Sequence, residues 1–305
     1  MPDMPATSVL EKPRSQWRDV WDQFKTHKGA VAGMTVLGIL VAFVLLGPWV
    51  WHEETLTTTE KILMKNKPPS MRFPMGTDQL GRDFFARMMQ GGQVSIAVGL
   101  VAMMISIFLG TAVGVLAGYF KRLDGPLMRL TDLFLSLPLL PLLLVMVMLF
   151  RDALAGVLGP ELGTFMLIVT AIGVTSWMQA ARVVRGDVLA LKEREFVLAA
   201  RSIGTPPRRV ILRHVLPNVI SPVMVSATLN IANAIITESA LSFLGLGFPP
   251  DFPTWGRLLY DGISYMQQFP ERVIFPGLAI SLTVLSVNYI GDGLRDALDP
   301  RIRGR

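Results

Sequence analysis

Gln93-Val-Ser-Ile-Ala-Val-Gly-Leu-Val-Ala-Met-Met-Ile-Ser-Ile-Phe-Leu-Gly-Thr-Ala-Val-Gly-Val-Leu-Ala-Gly-Tyr-Phe120 contains no charged residue over its 28 positions. A helix needs roughly 20 apolar residues to cross a bilayer core of about 30 Å, so this stretch is long enough to span. Gly110, Gly114 and Gly118 recur in it every four residues. That spacing leaves one helical face without side chains, where a second helix can approach closely. Glycine is also frequent in membrane helices at large, so the stripe alone does not decide the point. Five further stretches, 30–51, 133–150, 162–181, 215–237 and 273–291, also lack Asp, Glu, Lys and Arg. Together the six runs predict an all-α integral membrane protein with six spans. They do not suggest a transmembrane barrel, whose strands run about 10 residues with alternating polarity.

The composition agrees. Of 305 residues, 51% are hydrophobic and 17% charged, against about 25% charged in soluble domains. This argues against a soluble enzyme, a nucleic-acid-binding protein and a disordered tail. The net charge of +6 suits a membrane protein whose cytoplasmic loops collect Lys and Arg. With the N-terminus inside, segments 1–28, 121–132, 182–214 and 292–305 hold 20 of the 29 basic residues. Both termini are therefore expected in the cytoplasm. The first outer loop strains the rule with six basic residues, but it also carries Glu53, Glu54, Glu60, Asp78 and Asp83. With no cysteine, disulfides and thiolate metal sites are excluded. His27, His52 and His214 lie far apart without ligand spacing, so no metal site is expected.

The reading divides the chain into an N-terminal cytoplasmic amphipathic segment (1–29), a first span (30–51), an outer loop (52–92) and a core of five spans (93–303) with a cytoplasmic loop at 182–214. Residues 1–28 lack an apolar core followed by a small-residue cleavage site, so no cleaved signal peptide is expected. Trp17, Val20, Trp21 and Phe24 fall at i, i+3, i+4 and i+7; they suit a helix lying at the membrane surface, and a frayed tail with chance aromatics is the alternative. Pro138 and Pro141 are expected to bend or unwind the third span, and Pro217 and Pro222 the start of the fifth. Residues 247–256 read as a proline-stiffened outer loop.

The loop at 182–214 has more pattern than a connector needs. Val188, Leu191, Glu195 and Leu198 fit one helical face, with Val197 and Ala200 beside it. Gly204 is a natural C′ stop. Thr205 can cap a second short helix with Pro206 at its first position. Helix, glycine turn and short helix make an elbow suited to exchanging force with a soluble partner. An interfacial loop held by anionic lipid headgroups is the competing interpretation.

These residues resemble the cytoplasmic signature of permease subunits of binding-protein-dependent ABC importers: Glu-Ala-Ala, three residues, Gly, nine residues, Ile, any residue, Leu-Pro. Ala199, Ala200, Gly204, Leu216 and Pro217 match in spacing, while Leu198 stands in place of Glu and His214 in place of Ile. The Arg213–Asn218 version is similar to the dipeptide/oligopeptide branch. Gly76-Thr-Asp-Gln-Leu-Gly-Arg-Asp83, Leu241-Ser-Phe-Leu-Gly-Leu-Gly247 and Gly291-Asp-Gly-Leu-Arg-Asp-Ala-Leu-Asp-Pro300 resemble segments of its C-type subunit in the same order. The resemblance covers roughly residues 15–303.

It implies the ABC importer permease fold in a bacterial inner membrane, and transport of dipeptides or oligopeptides driven by ATP. Nickel, glutathione or another small solute is the alternative cargo. The implied partners are a second, non-identical permease subunit, two cytoplasmic ABC ATPases, a periplasmic or lipid-anchored solute-binding protein, and membrane lipids, with no nucleic acid. ATP and Mg are expected on the ATPases and no cofactor on this chain, which contains no Gly-x-x-x-x-Gly-Lys-[Ser/Thr] phosphate loop. The coupling helix would be about Thr205–Arg213. The implied ATPase-coupling residues are Glu195, Ala199, Ala200, Gly204, Thr205, Arg208, Arg209, Ile211, Arg213, His214, Leu216 and Pro217.

Within the spans, Asn230, Asn233, Glu238 and Asn288, with Gln179, are candidates for lining a pathway or gate. The asparagines and Gln179 are equally suited to bonding a neighbouring helix. Glu238 is expected near the outer rim, about 31 Å along the fifth helix from Pro217, where it reaches water. A self-sufficient secondary transporter would show acids at mid-span or inverted repeats, and neither is evident. An intramembrane enzyme would need a nucleophile with a base, or a metal set.

Overall fold

A computed structural model of the chain describes residues 16–52 and 56–298. Residues 1–15, Glu53, Glu54 and the Asp299-Pro300 end of the last motif lie outside the described residues, as does the side chain of Trp17. The fold is helical throughout. Among the described residues, six stretches are long and apolar enough to cross a membrane: Lys28–Val50, Phe84–Tyr119, Leu139–Leu158, Pro160–Leu191, Pro207–Phe243 and Glu271–Leu298.

Helix α1 (Gln16–Thr26) ends where His27 begins α2 (Lys28–Val50), its imidazole accepting from the Ala30 N–H at 3.0 Å. A short outer helix, α3 (Thr58–Leu63), starts with a reciprocal Thr57–Glu60 capping box. Asp83 caps α4 (Phe84–Tyr119). Helix α5 (Lys121–Ser136) follows directly. Helices α6 (Leu139–Leu158) and α7 (Pro160–Val174) are joined by Gly159 alone, at φ +83°. The fourth span continues as α8 (Trp177–Leu191) after a break at Thr175-Ser176. Helices α9 (Glu195–Ser202) and α10 (Pro207–Val210) flank Gly204. A π-helical turn (Ile211–Val215) joins α10 to α11 (Leu216–Phe243). The outer helix α12 (Trp255–Ile263) and the final α13 (Glu271–Leu298) complete the chain.

Helix α4 is the central member, packed along α7, α8 and α11, while α13 packs on α2, α11 and α12. A Cβ added to Gly110 would meet Trp177 O at 2.7 Å, one on Gly114 would meet Ala181 O at 2.6 Å, and one on Gly118 would meet Val188 Cβ at 2.7 Å. Backbone therefore touches backbone along the α4–α8 seam. Gly114→Leu is expected to cost about 1–3 kcal/mol through overpacking and to lower the melting temperature in detergent. Gly125→Leu, at a position with open space around it, is expected to leave it unchanged. Equal melting of the two variants would contradict the close seam.

The run 133–150 is locally unwound at Leu137-Pro138, between α5 and α6, as its prolines lead one to expect; Pro138 is the N-cap of α6 and Pro141 lies in its first turn, where a missing N–H costs nothing. The outer limit of the span is corrected: the helix runs to Leu158 and carries Arg151 and Asp152. Arg151 is accommodated by donating to Leu246 O at 2.7 Å and to Gly247 O at 2.5 Å. Those carbonyls end the Leu241–Gly247 motif, where Gly245 at φ +78° and the Leu246 N–H to Leu241 O bond close the helix. In α1, Val20 and Phe24 are buried against Ala297 on α13, with Leu294 and Leu298 alongside, while Trp21 is exposed. The amphipathic segment thus lays its apolar face on the last helix.

At the end of the bundle opposite the basic loops, Gly76–Asp83 folds into a compact knot. Asp78 Oδ1 accepts from the Leu80 and Arg82 N–H groups, and its Oδ2 from Arg82 Nε at 2.7 Å. Arg82 and Arg87 both donate to Pro250 O, and Arg272 donates to Thr77 O at 2.5 Å. The motif before the second span is therefore tied to the proline-stiffened loop before α12.

Candidate functional site

The elbow at the basic end is built on a cluster of seven buried residues, all valine: Val115, Val184, Val188, Val197, Val210, Val215 and Val219. β-Branched side chains hold few rotamers, so α8, α9, the π turn and α11 meet in a stiff joint. Gly204 has φ +81°. Its N–H bonds Arg201 O at 3.0 Å, and that of Thr205 bonds Ala200 O at 3.1 Å, a Schellman closure of α9. Bidentate contacts of 2.5 and 2.8 Å from Arg185 to Asp124 tie α8 to α5. The Arg185 hydrogen bond holds the Asp124 carboxyl below its usual range.

The elbow departs from the expected form in three ways. Val188, Leu191, Glu195 and Leu198 do not share one helix, because residues 192–194 break α8 from α9. Thr205 does not cap the next helix: Pro206 is the N-cap, without a side-chain bond, and Pro207 stands in the first turn. Residues Thr205–Arg213 are not a separate short helix either, since α10 runs through the π turn into the fifth span. Pro217 lacks an N–H, and the wider Leu216 N–H to Ile211 O bond takes up the ladder just before it. The short free-standing helix is α9, on the other side of the glycine.

Glu195 and Ala199 are exposed on α9, whereas Ala200 is buried. Arg208, Arg209 and Arg213, with Pro206 and Leu212, line a shallow cleft of ≈ 440 Å³. His214 lies 6.3 Å from the Phe196 ring, linking the π turn to α9. Ile211 and Leu216 are half-buried and Pro217 is exposed.

A second feature lies at the middle of the fourth span. Where α7 gives way to α8, a cavity of ≈ 260 Å³ opens between the fourth and fifth spans and the Phe134–Leu142 connection. Thr175, Ser176 and Gln179 line it from the break, and Asn230, Asn233 and Thr237 from α11. Asn288, on α13, is not among its lining residues. Glu238 is not either, and it does not reach water. It is completely buried, accepting from Ser242 at 2.7 Å, Thr254 at 2.8 Å and Ser95 at 3.4 Å. Its depth along the helix says nothing about lateral burial, and α4 and the start of α12 close over it.

The family of binding-protein-dependent transport system inner membrane components matches residues 106–304, and the N-terminal domain of oligopeptide transport permease C matches residues 15–69. The chain is 35% identical over 300 residues to the oligopeptide transport system permease OppC of Bacillus subtilis, covering 98% of this chain and 94% of that one. The chain belongs to this permease family. It is 38% identical over 301 residues to the dipeptide permease DppC of the same organism, with 98% and 90% covered. It is 36% identical over 294 residues to the glutathione permease GsiD of Pectobacterium atrosepticum, with 95% and 93% covered. The fold matches a chain of the inward-facing MetNI methionine ABC transporter with a TM-score of 0.54 at 17% identity, over 69% of this chain and 95% of that one.

The protein is thus a multi-pass inner-membrane permease subunit of an ABC importer. ATP hydrolysis resides on a separate partner, and ATPase and binding-protein components belong with it by homology. Phe196 and Ile203 also stand exposed on the elbow, beyond the residues expected there. Ile203 is 83% exposed beside Gly204, an apolar side chain among arginines and outside every apolar run. That isolation was the available signal.

Proposed function

We propose that this permease carries short peptides inward as one half of a heteromeric importer, paired with a non-identical permease and fed by a periplasmic or lipid-anchored binding protein. Full-length similarity to the curated oligopeptide and dipeptide permeases supports this cargo. The 36% identity to a glutathione permease keeps that tripeptide as a second reading, and it is itself a small peptide. In this proposal α9, the Gly204 turn and the arginine-lined cleft at 206–213 seat on an ATPase. The exposed Phe196, Leu198 and Ile203 supply the apolar contact and Arg208, Arg209 and Arg213 the charged ones. Leu198 replaces the signature's Glu with an apolar contact. Closure of the ATPase pair favours one permease state because the contacts differ between states. Asn230 and Asn233 face the substrate path; Glu238 braces its outer end.

The deciding experiment is reconstitution. Proteoliposomes holding both permeases, both ATPases and the binding protein are expected to concentrate labelled di- and tripeptides with ATP. Omitting the ATPases is expected to abolish accumulation. Accumulation against a gradient by the permeases alone would refute the proposal.

A further inference from the structure

We infer that the cavity at the break in the fourth span is a charge-free peptide-backbone site, which sets the importer's tolerance toward side-chain charge. The inference rests on the peptide reading above.

Three observations carry it. The first is position: α7 ends at Val174 and α8 begins at Trp177, so the break falls at the centre of the 32-residue Pro160–Leu191 span. Irregular backbone is tolerated at such depth only where protein covers it or it lines a cavity, and here it lines one. The second is chemistry. Asn230, Asn233 and Thr237 fall at i, i+3 and i+7 on one face of α11, opposite Thr175, Ser176 and Gln179, and no lining residue is charged. Asn and Gln amides each present a carbonyl acceptor and an N–H donor, as a peptide group does. The third is availability. The Thr175 and Thr237 hydroxyls donate to Ala171 O and Asn233 O in their own helices, and Asn230 donates to Ser226 O. Gln179 and Asn233 make no side-chain hydrogen bond among the described residues. Both are exposed, so these amides are open to a polar occupant of the cavity.

The opposite wall is apolar, formed by Phe134, Leu137, Leu139 and Leu142 among others. A peptide can lie with its amides on the polar wall and its side chains toward the leucines or the open path. With no fixed charge in the lining, acidic and basic side chains meet no ionic selection. Discrimination between them is then left to the binding protein.

The test places a charge there. Asn233→Asp and Asn233→Lys are made in the complete complex in proteoliposomes, and uptake of Ala-Glu-Ala, Ala-Lys-Ala and Ala-Ala-Ala is measured at saturating binding protein. The ratio of Lys-peptide to Glu-peptide uptake is expected to rise about tenfold in the Asp variant and to fall about tenfold in the Lys variant, since a unit charge in a poorly screened site acts strongly on a charged neighbour. A ratio constant within about twofold in both variants, with uptake of all three by the wild type, overturns the inference and leaves the peptide reading standing. A wild type that carries none of the three overturns both. Should either charged variant fail to assemble, Gln179→Cys serves, because the chain has no other cysteine. Its labelling by a methanethiosulfonate reagent is expected to be slowed by Ala-Ala-Ala during turnover. Labelling indifferent to peptide overturns the inference.

Discussion

Gly204→Val is expected to uncouple the importer: peptide uptake falls at least about tenfold while the complex still assembles in the membrane. The backbone at Gly204 has φ +81°, a region that costs an L-residue about 1–2 kcal/mol and a β-branched residue more. A Cβ there would meet nothing within 4 Å, so the penalty is conformational and not steric. An energy of that size changes a two-state ratio roughly five- to thirtyfold. The simplest relief is to open the Schellman closure at Ala200 and Arg201, which swings α9 off its position. Gly204→Asn separates backbone strain from any other effect, because asparagine tolerates the left-handed region; it is expected to keep at least a third of wild-type uptake. Uptake and receptor-stimulated ATP hydrolysis in proteoliposomes measure both. A valine variant with wild-type coupled uptake would remove the glycine turn from the coupling path.

Glu238→Ala is expected to produce a large loss of stability in the membrane bundle. Its carboxylate accepts from hydroxyls on three elements: Ser95 on α4, Ser242 on α11 and Thr254 at the start of α12. Ser95 Oγ in turn accepts from the Trp255 N–H at 3.1 Å, and Thr254 Oγ1 from the Arg257 N–H at 3.0 Å. Alanine leaves a cavity and several buried hydroxyls short of their acceptor. Each such group costs about 1–3 kcal/mol, and the cavity adds to it, so a loss of about 3–5 kcal/mol is expected. Glu238→Gln keeps the shape and one carbonyl acceptor and is expected to lose about a third as much. Thermal unfolding of the purified complex in detergent checks the order. An alanine variant that melts with the wild type would mean that the outer helix is held by its apolar contacts alone.

The six spans were legible because a helix in lipid must exclude charge along its whole length, and no tertiary contact is needed to see that. The third span shows the limit. Its limits moved outward by several residues because Arg151 finds two carbonyls 95 and 96 positions away, a partnership that no local pattern displays. The glycine turn at 204 was readable, since a left-handed position asks for glycine whatever surrounds it. The helix after it was misjudged: Pro206 and Pro207 look like a fresh start, whereas the π turn lets the chain pass Pro217 and continue. The break at Thr175-Ser176 had only a faint mark, that polar pair and Gln179 after Gly173 in a largely apolar run, for no proline or charge interrupts 162–181. Asn230 and Asn233 were singled out as polar residues in an apolar run, and the break is what gives them a facing wall. For Glu238, counting along the helix gave its height but not its neighbours, and the hydroxyls that enclose it are spread over three elements.

The seven valines of the elbow have a mechanical corollary. A joint filled with leucine or methionine could absorb a push by changing rotamers, and part of each stroke of the motor would be spent on repacking. Valine has one torsion and few wells, so in the coupling proposed above the joint would have little backlash when the cytoplasmic tip is displaced. The cost would fall on tolerance, because a linkage with little slack re-seats itself badly around a poorly fitted engine.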